Sequence, residues 1–192
     1  MLTATIVGAA LRPGYSHIAD SISELTEAGA PNKMLLDAMI GAYHLLFIPF
    51  AYGLHLALPR GVWLGPALLG VAGLLGLILT GFFPCDAGCE ANPTTIAGKG
   101  HGVILAVNVL CVFTGMVAVF WRIRLNPSWR TYARYTLISA LAALGLGLAT
   151  MPLLNTAYTG LGERLALIPI ELWFVVSGLL LWRSAGNRWD AS

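Results

Sequence analysis

Charge is the scarcest thing in this sequence. Of 192 residues, 11 are Lys or Arg and 9 are Asp or Glu. Only 10% of the chain is charged, against about 25% in a soluble domain. With 57% apolar residues, that shortage excludes a disordered chain and leaves too few charges to coat a water-soluble globule. A net charge of +2 gives no field for a nucleic acid, and none is expected as a partner. Cysteine is scarce too: Cys85, Cys89 and Cys111 cannot furnish a four-thiolate zinc site. The four histidines are His17, His44, His55 and His101, and they cannot ligate two haems across a membrane, so haem is not the expected cofactor. Complete catalytic signatures are absent as well. There is no Gly-x-Ser-x-Gly elbow and no His-Glu-x-x-His. Gly98-Lys99-Gly100-His101-Gly102 looks like a phosphate loop but lacks the Walker spacing and a preceding strand.

What the sequence does have is long apolar runs. A membrane span needs about 20 predominantly apolar residues. Five segments qualify, at residues 34–58, 62–83, 101–121, 135–154 and 165–182. The expected fold is all-α: a polytopic transmembrane helix bundle of five full spans plus a short amino-terminal apolar segment, forming a single integral membrane domain over residues 1–192. Trp63, Trp121, Trp129, Tyr135, Trp173 and Trp182 lie mostly near the run edges, as interfacial anchors do. Small residues four apart, Gly61 with Gly65 and Ala143 with Gly147, predict close helix approaches. Cys111, inside an apolar run, reads as a small packing residue. Met1–Leu11 is apolar but would reach only about 16 Å as a helix, half a membrane. It is expected to be either an interfacial stub or the remnant of a full first span.

Basic residues set the expected orientation. Arg60, Arg122, Arg124, Arg130, Arg134, Arg183 and Arg188 alternate onto one side, and Arg12, Lys33, Lys99 and Arg164 fall on the other. The positive-inside rule puts the seven in the cytoplasm with the carboxyl terminus, at the plasma (inner) membrane. Residues 12–33, 84–100 and 155–164 are then external. Within the first of these, Ile18, Ile22 and Leu25 have helical spacing, which predicts a short amphipathic helix at the interface.

This topology gathers Asp20, Ser23, Glu24, Asp86, Glu90, His101, Glu163 and Arg164 on one face. Asp20, Ser23, Asp86 and His101 are the candidate catalytic groups, since an Asp/His set can hold a divalent metal or move protons. Glu163 and Arg164 are candidates for a lipid headgroup or another anion, or simply anchor the fifth helix. Cys85 and Cys89, with three residues between them in one loop, can be a structural disulfide, free thiols, or a redox or metal pair. His44, His55 and Glu171 are ionisable residues within the spans, and such residues default to functional candidates. His44 and His55 are eleven residues apart, about 1100° of helical turn, so they share a face. By depth Glu171 could meet His44.

At these residues the chain resembles a known family. Arg12-Pro13-Gly14-Tyr15-Ser16 and Asp20-Ser21-Ile22-Ser23-Glu24-Leu25 are similar to its amino-terminal signature. Phe83-Pro84-Cys85-Asp86, the later His101, Gly160-Leu161-Gly162-Glu163-Arg164-Leu165 and Leu172-Trp173 are similar to its other blocks. The family is the prokaryotic multi-pass membrane group catalogued as domain of unknown function 998, and the resemblance covers about residues 10–183. It implies six spans, with a full helix before the Arg-Pro-Gly-Tyr block, where this chain has only Met1–Leu11. It implies no activity.

Three functional readings follow. The first is a non-catalytic accessory subunit or lipid-binding membrane scaffold, partnered by membrane lipid or by other membrane subunits. The second is a metal-assisted hydrolase or transferase acting on a lipid at the outer leaflet, with a divalent metal as cofactor. The third is a proton or small-solute pathway along His44, His55 and Glu171.

Overall fold

In lipid the backbone must satisfy its own hydrogen bonds, so apolar runs of this length fold as helices. A computed structural model describes residues 1–89 and 92–189, with no strand among the described residues. The helices are α1 (Leu2–Leu11), α2 (Lys33–Leu45), α3 (Phe47–Ala57), α4 (Leu64–Phe82), α5 (Ile96–Ile123), α6 (Arg130–Thr150) and α7 (Thr159–Trp189). Five stretches are long and apolar enough to cross a membrane: Lys33–Ala57, Leu64–Phe82, Ile96–Ile123, Pro127–Leu153 and Thr159–Arg183. The chain is therefore an all-α integral membrane protein with five spans and one short amino-terminal apolar helix.

Three of these helices start before their apolar runs do. Hydropathy marks where a helix is greasy, not where its backbone begins. At α5 the Thr95 side chain accepts from the Gly98 N–H at 2.9 Å and caps the helix ahead of the apolar stretch. The first span is split at Leu46 into α2 and α3. Pro49 explains the break: it has no N–H to give, and its ring crowds the carbonyl four residues back.

The spans alternate in direction. One end of the bundle, here the loop end, collects residues 12–32, 83–89, 92–95 and 151–158; the other, the arginine end, carries Arg60, Arg122, Arg124 and Arg130. The tight core lies in the half toward the arginine end, where Leu54, Leu69, Met116, Val119, Ile123 and Trp173 are almost fully buried. Small residues on α4 permit it. A Cβ on Gly65 would sit 2.9 Å from the Gly115 carbonyl oxygen of α5, and one on Gly73 would sit 2.8 Å from the His44 carbonyl oxygen of α2. Gly65 is thus a close approach, as its spacing predicted. Ala143 and Gly147 are not: nothing lies within 4 Å of a Cβ on Gly147, and both residues line an open cavity.

Buried polar bonds tie α6 to α7. The Trp173 indole N–H donates to Thr136 Oγ1 at 3.0 Å, Ser177 Oγ donates to the Trp173 carbonyl at 2.6 Å, and the Tyr132 hydroxyl reaches Ser177 Oγ at 2.6 Å. In hydrocarbon such groups have no water to turn to, so they pair across helices. At the arginine end Arg122 donates to the carbonyls of Pro59, His55 and Leu58, closing the last turn of α3.

The expected amphipathic helix over residues 18–25 is a correction. Only Ser23–Thr26 is helical, a single 3-10 turn. Polar side chains upstream take the backbone donors instead: the Ser16 N–H goes to Asp20 Oδ2 at 2.7 Å, and those of Ile18 and Ala19 go to Ser16 Oγ. The turn that remains starts at a reciprocal cap, with Ser21 N–H on Glu24 Oε1 and Glu24 N–H on Ser21 Oγ. Ile22 and Leu25 are buried while Ile18 is exposed. Ala4, Thr5 and Gly8 are the buried residues of α1; a Cβ on Gly8 would press on Leu25 of this turn and on Leu36 of α2, and Met1 lines the cavity.

Candidate functional site

Three sequence blocks meet at the loop end, each held by side chains that the local sequence fixes. The first and last are clasped together. Gly160 and Leu161 N–H groups donate to the carbonyls of Ala19 and Ile18. Arg164 donates to the carbonyls of Asp20 (3.1 Å) and Gly160 (2.9 Å) and to the Tyr15 hydroxyl (2.8 Å). Glu163 Oε2 accepts from the Ile22 N–H at 2.6 Å. Tyr15 in turn donates to the Ser21 carbonyl at 2.8 Å. Burial pushes the Tyr15 hydroxyl above its ordinary pKa, against the pull of Arg164. Glu163 and Arg164 therefore spend these contacts on the protein itself.

The middle block is fastened from both sides. Glu27, buried, pairs with Arg12 at 2.7 Å and accepts from the Gly88 N–H, and the Ala28 N–H donates to the Cys85 carbonyl at 2.9 Å. Cys85 and Cys89 form a disulfide with Cα atoms 5.2 Å apart. The turn between them needs left-handed backbone at Gly88 (φ 79°) and Cys89 (φ 47°). Asp86 fixes the start of α5: its carboxylate accepts from the Thr94 N–H (2.7 Å), the Thr95 N–H (3.0 Å) and both threonine hydroxyls. Those bonds, chiefly from Thr95, hold the Asp86 carboxyl down at about 2.

The four candidate catalytic residues thus separate into two pairs. Asp20 and Asp86 cap backbone. Ser23 and His101 touch: His101 Nε2 lies 3.1 Å from Ser23 Oγ, and its Nδ1 lies 2.8 Å from the Phe83 carbonyl oxygen. Among the described residues no group of three His, Cys, Asp or Glu side chains converges as a metal site would require. Glu90 lies outside the described residues.

Below this pair a cavity of about 380 Å³ runs into the bundle. That is within the roughly 300–1,000 Å³ of small-ligand sites. Its walls are apolar, from Ile40, Phe47, Leu105, Val112, Met116, Leu148, Leu167 and Phe174 among others, and Ser23, His101 and Glu163 stand at its loop end. Leu105 and Val109 on α5, and Leu144 and Leu148 on α6, line the cavity and are also exposed on the outer surface. The cavity therefore opens sideways between α5 and α6. The burial pattern gives the reason. Apart from Gly98 near its start, α5 is buried only from Val112 onward, and α6 only from Tyr132 to Ala140 and at Thr150, so the two helices meet toward the arginine end and part toward the loop end.

The intramembrane candidates do not form a hydrogen-bonded series. Glu171 accepts from the Tyr43 hydroxyl at 2.7 Å on the cavity wall. His44 is buried against Gly76, its Nδ1 without a hydrogen-bond partner. His55 Nδ1 faces Arg122 at 3.2 Å, in the cluster that caps α3. Sequence reasoning passed over Tyr43 and Asn108. Asn108 donates from α5 to the Ala72 carbonyl of α4 at 2.6 Å, and its signal was plain: a lone amide in an apolar run seeks a partner.

A family model described as Protein of unknown function (DUF998) matches residues 1–180. Comparison with curated proteins and with solved structures found no match. The chain belongs to the DUF998 family.

Proposed function

We propose that this DUF998 member is a lipid-binding membrane protein whose cavity takes the apolar chain of a lipid, with the polar head at the loop end. One observation carries the reading. The cavity opens through Leu105, Val109, Leu144 and Leu148 onto the apolar flank of the bundle, not only toward the loops. A slot walled with apolar side chains and entered from hydrocarbon suits a molecule already dissolved there. Polar groups at one end would set its direction. On this reading the arginine end, richer in basic residues, is cytoplasmic, and the loop end faces outside at the plasma membrane.

The test is the lipid content of the purified protein. In a mild detergent or polymer disc, mass spectrometry of the extracted complex is expected to find lipid bound to the wild-type chain. Gly147→Trp has room on the cavity side and fills the slot. It is expected to lower bound lipid at least tenfold while the helical circular dichroism is kept. Equal lipid in the two proteins, or none in the wild type, overturns the reading.

A further inference from the structure

We infer that Ser23 is a nucleophile activated by His101, and that the lipid in the cavity is an ester that the pair cleaves. This rests on the lipid-binding reading above and adds a reaction to it. The tautomer of His101 follows from its partners. The Phe83 carbonyl can only accept, so Nδ1 at 2.8 Å carries the proton. Nε2 then presents a lone pair to Ser23 Oγ at 3.1 Å, and the Ser23 hydroxyl donates to it. Nucleophile, base and a third group that orients the base is the arrangement of a serine acyl-transfer site, here with a main-chain carbonyl as the third member.

The surroundings hold this geometry still. The ring of Phe83 packs so closely on Gly100 that a Cβ there would collide with it, and this fixes the orienting carbonyl beside the first turns of α5. Ser23 opens its 3-10 turn between the Ser21–Glu24 cap and the Ile22 N–H anchored on Glu163. Both side chains are half-buried and both line the cavity, at the end where a lipid's ester group would lie when its chain fills the apolar part. In the reaction Ser23 Oγ adds to the ester carbonyl carbon as its proton passes to His101 Nε2. The bond from that carbon to the alcohol oxygen breaks, and His101 gives the proton to the departing alcohol. Water then attacks the acyl-Ser23 ester, its proton passing through His101 to Ser23 Oγ as the fatty acid leaves. Ester and water become acid and alcohol.

The experiment uses the full chain in phosphatidylglycerol vesicles with a long-chain alkyl fluorophosphonate, read by peptide mass spectrometry. A covalent adduct on Ser23 and release of fatty acid from the vesicles are expected. Ser23→Ala abolishes both, and His101→Gln slows labelling by about 100-fold, the scale of a lost general base. A bond that merely tied the turn to α5 would leave wild-type Ser23 unlabelled. That result, in protein that still carries lipid, overturns the inference and leaves the binding reading standing. Labelling of His101→Gln at the wild-type rate overturns it also. Wild-type protein that labels at Ser23 but holds no lipid overturns the binding reading instead.

Discussion

Gly160 and the carbonyl of Asp20 are so close that no side chain fits between them: a Cβ on Gly160 would run into that oxygen. The contact lies at the centre of the clasp, where the first turn of α7 meets residues 18–22 through two backbone bonds and Arg164. Gly160→Ala is therefore expected to destabilise the protein by about 1–3 kcal/mol, the usual cost of overpacking. Gly102→Ala, at a position on α5 with nothing within 4 Å, should change little. Thermal melts in one detergent compare the two. A melting point for Gly160→Ala equal to that of wild type would show that the clasp yields freely.

Asp86 gives a pH signature outside the spans. Its folded carboxyl sits at about 2 against an ordinary 3.8, because Thr95 and Thr94 hydrogen-bond to the charged form. A depressed folded value means the stabilisation is complete above the unfolded value and fades as pH falls toward the folded one. The stability gap between wild type and Asp86→Asn should be constant from neutral pH to about 5 and shrink between about 4 and 2. Denaturation midpoints across that range measure it, and a gap independent of pH would count against the assignment.

The thiols should count unequally. With Cys85 and Cys89 bonded, maleimide in denaturing detergent is expected to modify only Cys111 before reduction and all three cysteines after it. Intact mass reads the number of adducts. Three adducts without reductant would mean the loop closes without the bond.

Between α6 and α7, size should outweigh hydrogen bonding. Interhelical bonds in membranes average about 0.6 kcal/mol, whereas emptying the site of a large buried side chain costs about 3–5 kcal/mol. Trp173→Phe keeps most of the volume and loses the donation to Thr136. It is expected to be much milder than Trp173→Ala, which leaves a void in the core cluster. Unfolding in mixed micelles ranks the two, and similar losses would mean that the bond dominates.

The spans were legible because apolar length is a local property that any window of sequence displays. The break at Leu46 was legible in principle from Pro49, and the early starts of α5, α6 and α7 were not, since polar turns extend helices without hydropathy. At the site the residue types were readable and the partners were not. Asp20 and Asp86 looked like ligands because an isolated carboxylate does; only the fold shows that Ser16, Thr94 and Thr95 consume them. Ser23 and His101 are 78 residues apart, and no periodicity links positions in different elements. The small pair Ala143 and Gly147 misled for a related reason. Absent volume serves a close approach or an opening equally well, and the choice belongs to the neighbouring helix.

That opening, where α5 and α6 part, changes what concentration means for this protein. A ligand entering from the aqueous phase competes at its solubility, which for a long acyl chain is vanishingly small. One entering between Leu105 and Leu148 is drawn from a two-dimensional solvent, so its occupancy follows mole fraction in the leaflet. A modest intrinsic preference then suffices to keep the slot filled. On the lipid-binding reading, changing the composition of the surrounding membrane, with total lipid constant, should change what the protein holds.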